Sequence, residues 1–241
     1  MKQVLILAAG LGTRLKPLTD RMPKAMVPVA GKPLLWHIVM KMKAAGFERI
    51  VVNVHHFAQQ IVDYLKENDN FGLDIRISDE TALLLDTGGA IKHALPLFDP
   101  KSPILIHNVD IMSNVDVSAF YDKAEEADAQ LLVGERKTSR YLLFDDQMLL
   151  SGWTNDDKGI VLCARPEQDA AQLRRLAFSG IHTLHPRLAK ELAQMPDKFG
   201  VFDFYMRFCL EHRIVGCFKP DLRMLDVGKL DTLEQAEQFM K

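Results

Sequence analysis

The residues best equipped for chemistry stand near the start of the chain. In Ala9-Gly10-Leu11-Gly12-Thr13-Arg14, two glycines free the backbone for a tight turn that lets amide N–H groups face an anion. Arg14 adds a permanently charged fork suited to phosphate oxygens. Ten residues on, Lys24 stands in Pro23-Lys24-Ala25-Met26-Val27-Pro28-Val29, where flanking prolines limit where the lysine can point. Backbone donors, an arginine and a fixed lysine together make a site for a polyphosphate. Further on, Asp110 follows the apolar run Ile104-Leu105-Ile106 and His107-Asn108-Val109. A carboxylate at the carboxyl end of a central parallel strand is where an open α/β sheet places its chemistry.

Two familiar phosphate loops do not fit. A Walker loop needs Gly-Lys-Ser/Thr after its spacer, and here Gly12 is followed by Thr13-Arg14. A dinucleotide fingerprint needs a third glycine and an acidic residue closing the next strand. Position 15 is leucine, and the second strand, Ile50–Val54, closes on His55-His56. Those two histidines point opposite ways on an extended chain, so they suit a loop or hydrogen-bonding role better than a shared metal.

The elements that must position these residues alternate. Val4–Ala8 is a continuous apolar run, the pattern of a buried parallel strand. A helix follows from Gly31-Lys32-Pro33, with Leu35, Ile38, Val39, Met42 and Ala45 at helical spacing and Gly46 as its stop. Strand Ile50–Val54, a helix striped by Phe57, Ile61 and Leu65, and strand Leu73–Ile77 come next. Thr87-Gly88-Gly89 opens a further helix, Val115–Ala127 reads as another, and Ala129–Val133 is a strand. From Glu135 to Ala170 the pattern loosens into hairpin-like pieces, Tyr141–Phe144 and Ile160–Leu162, with a turn at Asp145-Asp146. Leu176–Leu184 is a strand in which Gly180 argues for close approach of a ligand or another backbone. His182 shares its face if that strand is regular. Helices at Pro186–Gln194 and Phe202–Glu211, a strand at Ile214–Phe218 and a helix from Asp231 complete the chain. This predicts one α/β domain over residues 1–241, with halves of about 1–134 and 135–241.

Composition narrows the partners. A net charge of −2, with 48% hydrophobic and 26% charged residues, suits an ordinary globule and gives no reason to expect nucleic acid. Cys163, Cys209 and Cys217 form no Cys-x-x-Cys pair, which suits a reducing compartment. The first apolar run is too short to span a membrane. We expect a cytoplasmic protein, monomeric or homodimeric, with no membrane partner.

Residues 7–29 closely resemble the signature of the sugar-1-phosphate nucleotidyltransferases, L-A-A-G-x-G-T-R-L-x-P-L-T followed by P-K-x-M-V-P-V. The resemblance implies a Rossmann-like three-layer α/β sandwich, with a mixed, mostly parallel central sheet and a β-rich insertion in the glycosyltransferase-A manner. It implies that Ala9, Gly10, Leu11, Gly12, Thr13, Arg14 and Lys24 hold an NTP, with Thr87, Gly88 and Asn108 beside the nucleotide. It makes Arg14, Lys24 and Asp110 catalytic, and Asp110 a Mg²⁺ ligand. Asp226, in Met224-Leu225-Asp226-Val227-Gly228-Lys229, would be the second Mg²⁺ carboxylate, although the family has Trp where Met224 stands and Thr where Lys229 stands. Gly89, Ser179, Gly180 and His182 would line the sugar pocket. The chain has Val109 for the glycine of the family's Asn-Gly-Asp. It lacks the family's Glu-Lys-Pro lysine, leaving Lys158 and Arg165 as candidates to grip the sugar phosphate. Among relatives, short members of this kind resemble uridylyltransferases acting on N-acetylmuramate 1-phosphate. Guanylyl- and cytidylyltransferases, and a regulatory subunit that senses nucleotide sugars, are the alternatives.

Overall fold

In Gln3–Leu7 (β1) the side chains divide between two apolar layers, Val4 and Ile6 entering one and Leu5 the other. That division explains the unbroken apolar run, since both faces of this strand are covered. The structure is a computed structural model and describes residues 1–164 and 169–239. After β1, a small hairpin of Pro28–Val29 (β2) and Lys32–Pro33 (β3) leads into helix Leu34–Ala44 (α1). Arg49–Val54 (β4), Ala58–Glu67 (α2), Asp74–Asp79 (β5), Asp86–Ala94 (α3) and Ile104–Asn108 (β6) follow. β6, β1, β4 and β5 lie side by side and parallel, so their carboxyl ends share one edge.

The second half is mixed. Ile111–Ser113 (β7) and Val117–Asp122 (α4) precede Ala129–Gly134 (β8), and the insertion is the antiparallel set Arg140–Phe144 (β9), Leu150–Asn155 (β10) and Ile160–Cys163 (β11). Arg174–Leu184 (β12) then runs antiparallel to β6, β8 and β9, joining the insertion to the parallel block in one ten-stranded sheet. Ala189–Ala193 (α5), Val201–Phe208 (α6), Ile214–Phe218 (β13), Met224–Asp226 (β14) and Asp231–Phe239 (α7) complete the described chain. Apolar residues of α1, α2 and α4 pack on one face of the sheet, and those of α3, α5 and α6 on the other. The result is a three-layer α/β sandwich with a β-rich insertion.

Several elements depart from the sequence expectation. The helix over Val115–Ala127 is shorter, because the Asp116 carboxylate caps α4 through Ala119 N–H at 2.9 Å and a 3₁₀ turn replaces its end. Pro186 opens a 3₁₀ turn, so only Ala189–Ala193 of the Pro186–Gln194 helix is α. β10 had no expected counterpart, and it carries Trp153.

Candidate active site

Gly12 turns the phosphate loop with φ +62°, a left-handed conformation that a side chain would strain. A Cβ there would also lie 2.8 Å from Thr19 Cγ2 and 3.1 Å from Lys24 Cβ, so the absent side chain lets the two halves of the motif meet. The Thr19 hydroxyl and Leu15 N–H both donate to the Gly12 carbonyl, at 2.9 and 2.8 Å. Lys24 is buried at the start of a 3₁₀ turn, and its ammonium ion-pairs with the Asp110 carboxylate. The proline-stiffened segment thus aims its lysine across the carboxyl end of β6.

The two aspartates come together through backbone pairing. β14 lies antiparallel to β7 with Asp226 opposite Ile111, and Val227 N–H donates to the Asp110 carbonyl at 2.8 Å. Arg14 Nη2 is 3.8 Å from Asp226 Oδ2. The Asp226 carboxyl is held above its ordinary pKa, first by burial and then by the negative charge of Asp110, with Lys24 and Arg14 opposing. A carboxyl at Asp226 whose ionisation the neighbouring Asp110 charge disfavours suits a cation between the two. Their hard oxygens fit Mg²⁺, which keeps waters and substrate phosphates in the rest of its shell. Among the described residues no group of three or more histidine, cysteine, aspartate or glutamate side chains is set to hold a metal ion. Val109, in place of the family's glycine, donates its N–H to the Leu7 carbonyl at 3.1 Å and buries its side chain in the α1–α2 layer.

A buried polar brace sets the other wall, and sequence reasoning missed it. Asn53, at the end of β4, accepts hydrogen bonds from Ala8 N–H at 2.6 Å and Ala9 N–H at 3.2 Å. Its amide donates to Glu80 Oε1 at 2.8 Å, and Glu80 Oε2 accepts Leu85 N–H at 3.0 Å. The entry to the glycine loop is thereby tied to the segment before α3. The available signal was one amide inside the apolar strand Ile50–Val54.

The start of α3 is packed against the loop that precedes α6. Gly88 and Gly89 N–H groups both donate to the Phe199 carbonyl, at 2.9 and 3.1 Å, so these donors are taken by the protein itself. A Cβ on Gly88 would run into the Phe199 ring, and one on Gly89 into the Asp197 carbonyl. Thr87 Oγ1 accepts Val201 N–H at 3.0 Å, at the start of α6. The small residues serve a close helix-to-loop contact here.

A cavity of about 1070 Å³ opens between this corner and the insertion. Arg14, Asp226 and Lys229 line one part. Leu142, Trp153 and Leu162, direct cross-strand partners on β9, β10 and β11, line another, together with Tyr141, Arg136 and Arg140. Gly180, with φ +79°, breaks the alternation of β12, and its pairing with β8 shifts register between Phe178 and His182. The close approach expected at Gly180 is made by the Asn108 amide, which would be 2.9 Å from a Cβ. Phe178 lines the cavity, but His182 does not. It is buried beneath the sheet, with Nδ1 3.2 Å from the Tyr205 hydroxyl, and burial lowers its pKa to about 3. The strand is irregular, so spacing from Gly180 misplaced this histidine. Ser179 is buried, its hydroxyl without a hydrogen-bond partner among the described residues. Lys158 sits on the exposed turn between β10 and β11, outside the cavity lining, and Arg165 lies outside the described residues. Arg136, Arg140 and Lys229 are the cavity's cations that sequence reasoning did not assign.

Comparison with known proteins accords with this geometry. Residues 3–144 match the family model described as nucleotidyl transferase. A Caulobacter vibrioides protein named N-acetylmuramate alpha-1-phosphate uridylyltransferase is 35% identical over 233 residues, covering 92% of this chain and 90% of its own. A Campylobacter jejuni protein named D-glycero-alpha-D-manno-heptose 1-phosphate guanylyltransferase is also 35% identical, over 227 residues and 94% of each chain. The crystal structure of HddC from Yersinia pseudotuberculosis complexed with GMP-PN superposes with a TM-score of 0.76 at 24% identity, over 100% of both chains, and shares the fold. With a family model spanning most of the chain and relatives aligned nearly end to end, the chain belongs to the nucleotidyl transferase family.

Proposed function

We propose that the chain transfers a nucleoside monophosphate from an NTP to a sugar 1-phosphate, and that UTP and N-acetylmuramate 1-phosphate are its substrates. The observation that carries the reaction class is the convergence of Arg14, Lys24, Asp110 and Asp226 at the carboxyl edge of β1 and β6. A phosphate oxygen of the sugar 1-phosphate attacks the α-phosphorus, a new P–O bond forms, and the bond to pyrophosphate breaks. That oxygen is already an anion, so no strong base is required. Arg14 and Lys24 hold the triphosphate and offset charge growing on the leaving pyrophosphate. Asp110 and Asp226 would hold Mg²⁺, which would supply further charge neutralisation. Lys229, which lines the cavity with Asp226 and makes no ion pair among the described residues, would hold the sugar phosphate in place of Lys158 or Arg165.

The uridylyl reading rests on the near end-to-end similarity to the Caulobacter vibrioides protein. Equal identity to the Campylobacter jejuni guanylyltransferase supports a second reading, with GTP as donor. Competition among the four NTPs at limiting sugar 1-phosphate, scored by nucleotide sugar formed and pyrophosphate released, separates them. UTP is expected to dominate. Equal or better use of GTP would replace the uridylyl reading with the guanylyl one.

A further inference from the structure

Four cations, Arg14, Arg136, Arg140 and Lys229, line the cavity against three carboxylates, Asp203, Asp226 and Asp231. Arg14 is committed to the corner that holds Asp226, and Lys229 stands beside it. Arg136 and Arg140 line the insertion side of the same cavity. They flank the short Lys137-Thr138-Ser139 segment between β8 and β9, of which Thr138 and Ser139 also face the cavity. Neither arginine makes an ion pair among the described residues. Arg136 has one side-chain hydrogen bond, from Nη2 to the Phe178 carbonyl at 3.3 Å, which ties it to the cavity wall. The contrast with Arg175 is informative. That arginine, on the same sheet, spends its guanidinium on both Asp156 oxygens, at 2.7 and 2.9 Å, and on the Tyr141 ring.

Beside the two arginines lies an apolar floor. Leu142, Trp153 and Leu162 form one cross-strand row, and Arg140 continues the β9 face two residues before Leu142. An indole beside aliphatic side chains fits the apolar face of a pyranose, and guanidinium groups at its edge fit a carboxylate bidentately. Among the described residues Arg136 and Arg140 pair with none of the three carboxylates of the cavity, which leaves their guanidinium groups open to an acid carried by a ligand.

We infer that Arg136 and Arg140 form an anion subsite, separate from the phosphate-binding residues, that selects sugar 1-phosphates carrying a carboxylate-bearing substituent over neutral ones. This rests on the sugar-1-phosphate reading above but not on the choice of base. It accounts for two cations that the transfer step leaves unused.

The test measures kcat and KM with the wild type and its preferred NTP, using N-acetylmuramate 1-phosphate and N-acetylglucosamine 1-phosphate. These share a ring and differ in the carboxylate-bearing substituent. The expected kcat/KM ratio favours the acid by about tenfold or more, mostly through KM. Arg140→Gln and Arg136→Gln should each collapse that ratio toward one, and Arg140→Lys should restore part of it. A wild-type ratio near one would overturn the subsite. So would variants that lose both substrates in equal proportion, which a merely structural arginine would produce. Preference for GTP with the ratio intact would sink only the uridylyl reading. Failure to release pyrophosphate with any sugar 1-phosphate would sink the transfer reading and the subsite with it.

Discussion

Lys24 is buried and ends on Asp110, so its charge is fixed where a triphosphate must arrive, with little side-chain freedom left to lose on binding. Lys24→Ala and Arg14→Ala are each expected to cost about 2–4 kcal/mol in kcat/KM, the scale of other preorganised donors to developing charge. An effect of Lys24→Ala confined to the KM for sugar phosphate would move it to another part of the site. Asp110→Asn and Asp226→Asn should each lower turnover by orders of magnitude and raise the Mg²⁺ concentration needed for half-maximal rate. Near-normal turnover at low Mg²⁺ in either variant would remove that residue as a ligand. Arg14 and Lys24 were legible in the sequence because their motif is local: a turn, a fork and a stiffened segment within one stretch. Arg136, Arg140 and Lys229 were not. The chain has 30 lysines and arginines, and only tertiary packing decides which of them share a cavity with Asp226.

The strand ends and loop starts are held by groups that no ligand needs to touch. Asn53 satisfies two backbone donors of the glycine loop and one carboxylate oxygen of the buried Glu80. Asn53→Leu would strand all of these out of water, at about 1–3 kcal/mol for each unsatisfied group. The expected result is a lower urea midpoint together with a raised KM for NTP, since the loop that faces the triphosphate loses its anchor. A lower midpoint with unchanged KM would make the brace purely structural. At the start of α3, Gly88→Ala places a methyl group against the Phe199 ring, and overpacking of this kind costs about 1–3 kcal/mol. A thermal melt of Gly88→Ala that matched the wild type would show that this loop yields freely. The parallel strands were readable because both faces are covered and their residues are apolar without a break. β10 was not, because Leu150–Asn155 mixes serine, glycine, tryptophan and threonine on a strand whose pairing partners lie in two other hairpin arms. The Gly180 break in β12 was also unreadable as such. The glycine was visible, but the register shift that redirects His182 depends on β8.

β12 joins the insertion to the parallel block, and two buried histidines lie at that seam, one in each apolar layer. His107 is opposite Ile181, which packs with α1 and α2, while His182 meets Tyr205 of α6. Burial holds both neutral, lowering His107 to about 4 and His182 to about 3, with the Lys41 charge adding to the effect on His107. In the unfolded chain each takes up a proton near its ordinary value of about 6.5. Between pH 6.5 and 4 the unfolded state therefore binds more protons than the native one, and stability falls as pH falls. The contribution is complete above pH 6.5 and is lost toward the folded values. From pH 7 to 5 each histidine should remove about 2 kcal/mol. The carboxylates whose values are depressed, Asp74, Asp79, Asp99 and Asp221, act in the same direction but mainly near and below their ordinary value of 3.8, while Asp226, whose value is raised, opposes the histidines above 3.8. Urea unfolding at half-unit steps from pH 7.5 to 5 is the measurement. In His182→Gln the Tyr205 hydroxyl keeps an acceptor but the site cannot protonate, so the slope of stability against pH should fall by about half, whatever the variant's absolute stability. A slope unchanged from the wild type would mean that His182 is protonated without penalty in the fold, which its enclosure between β12 and Tyr205 does not allow.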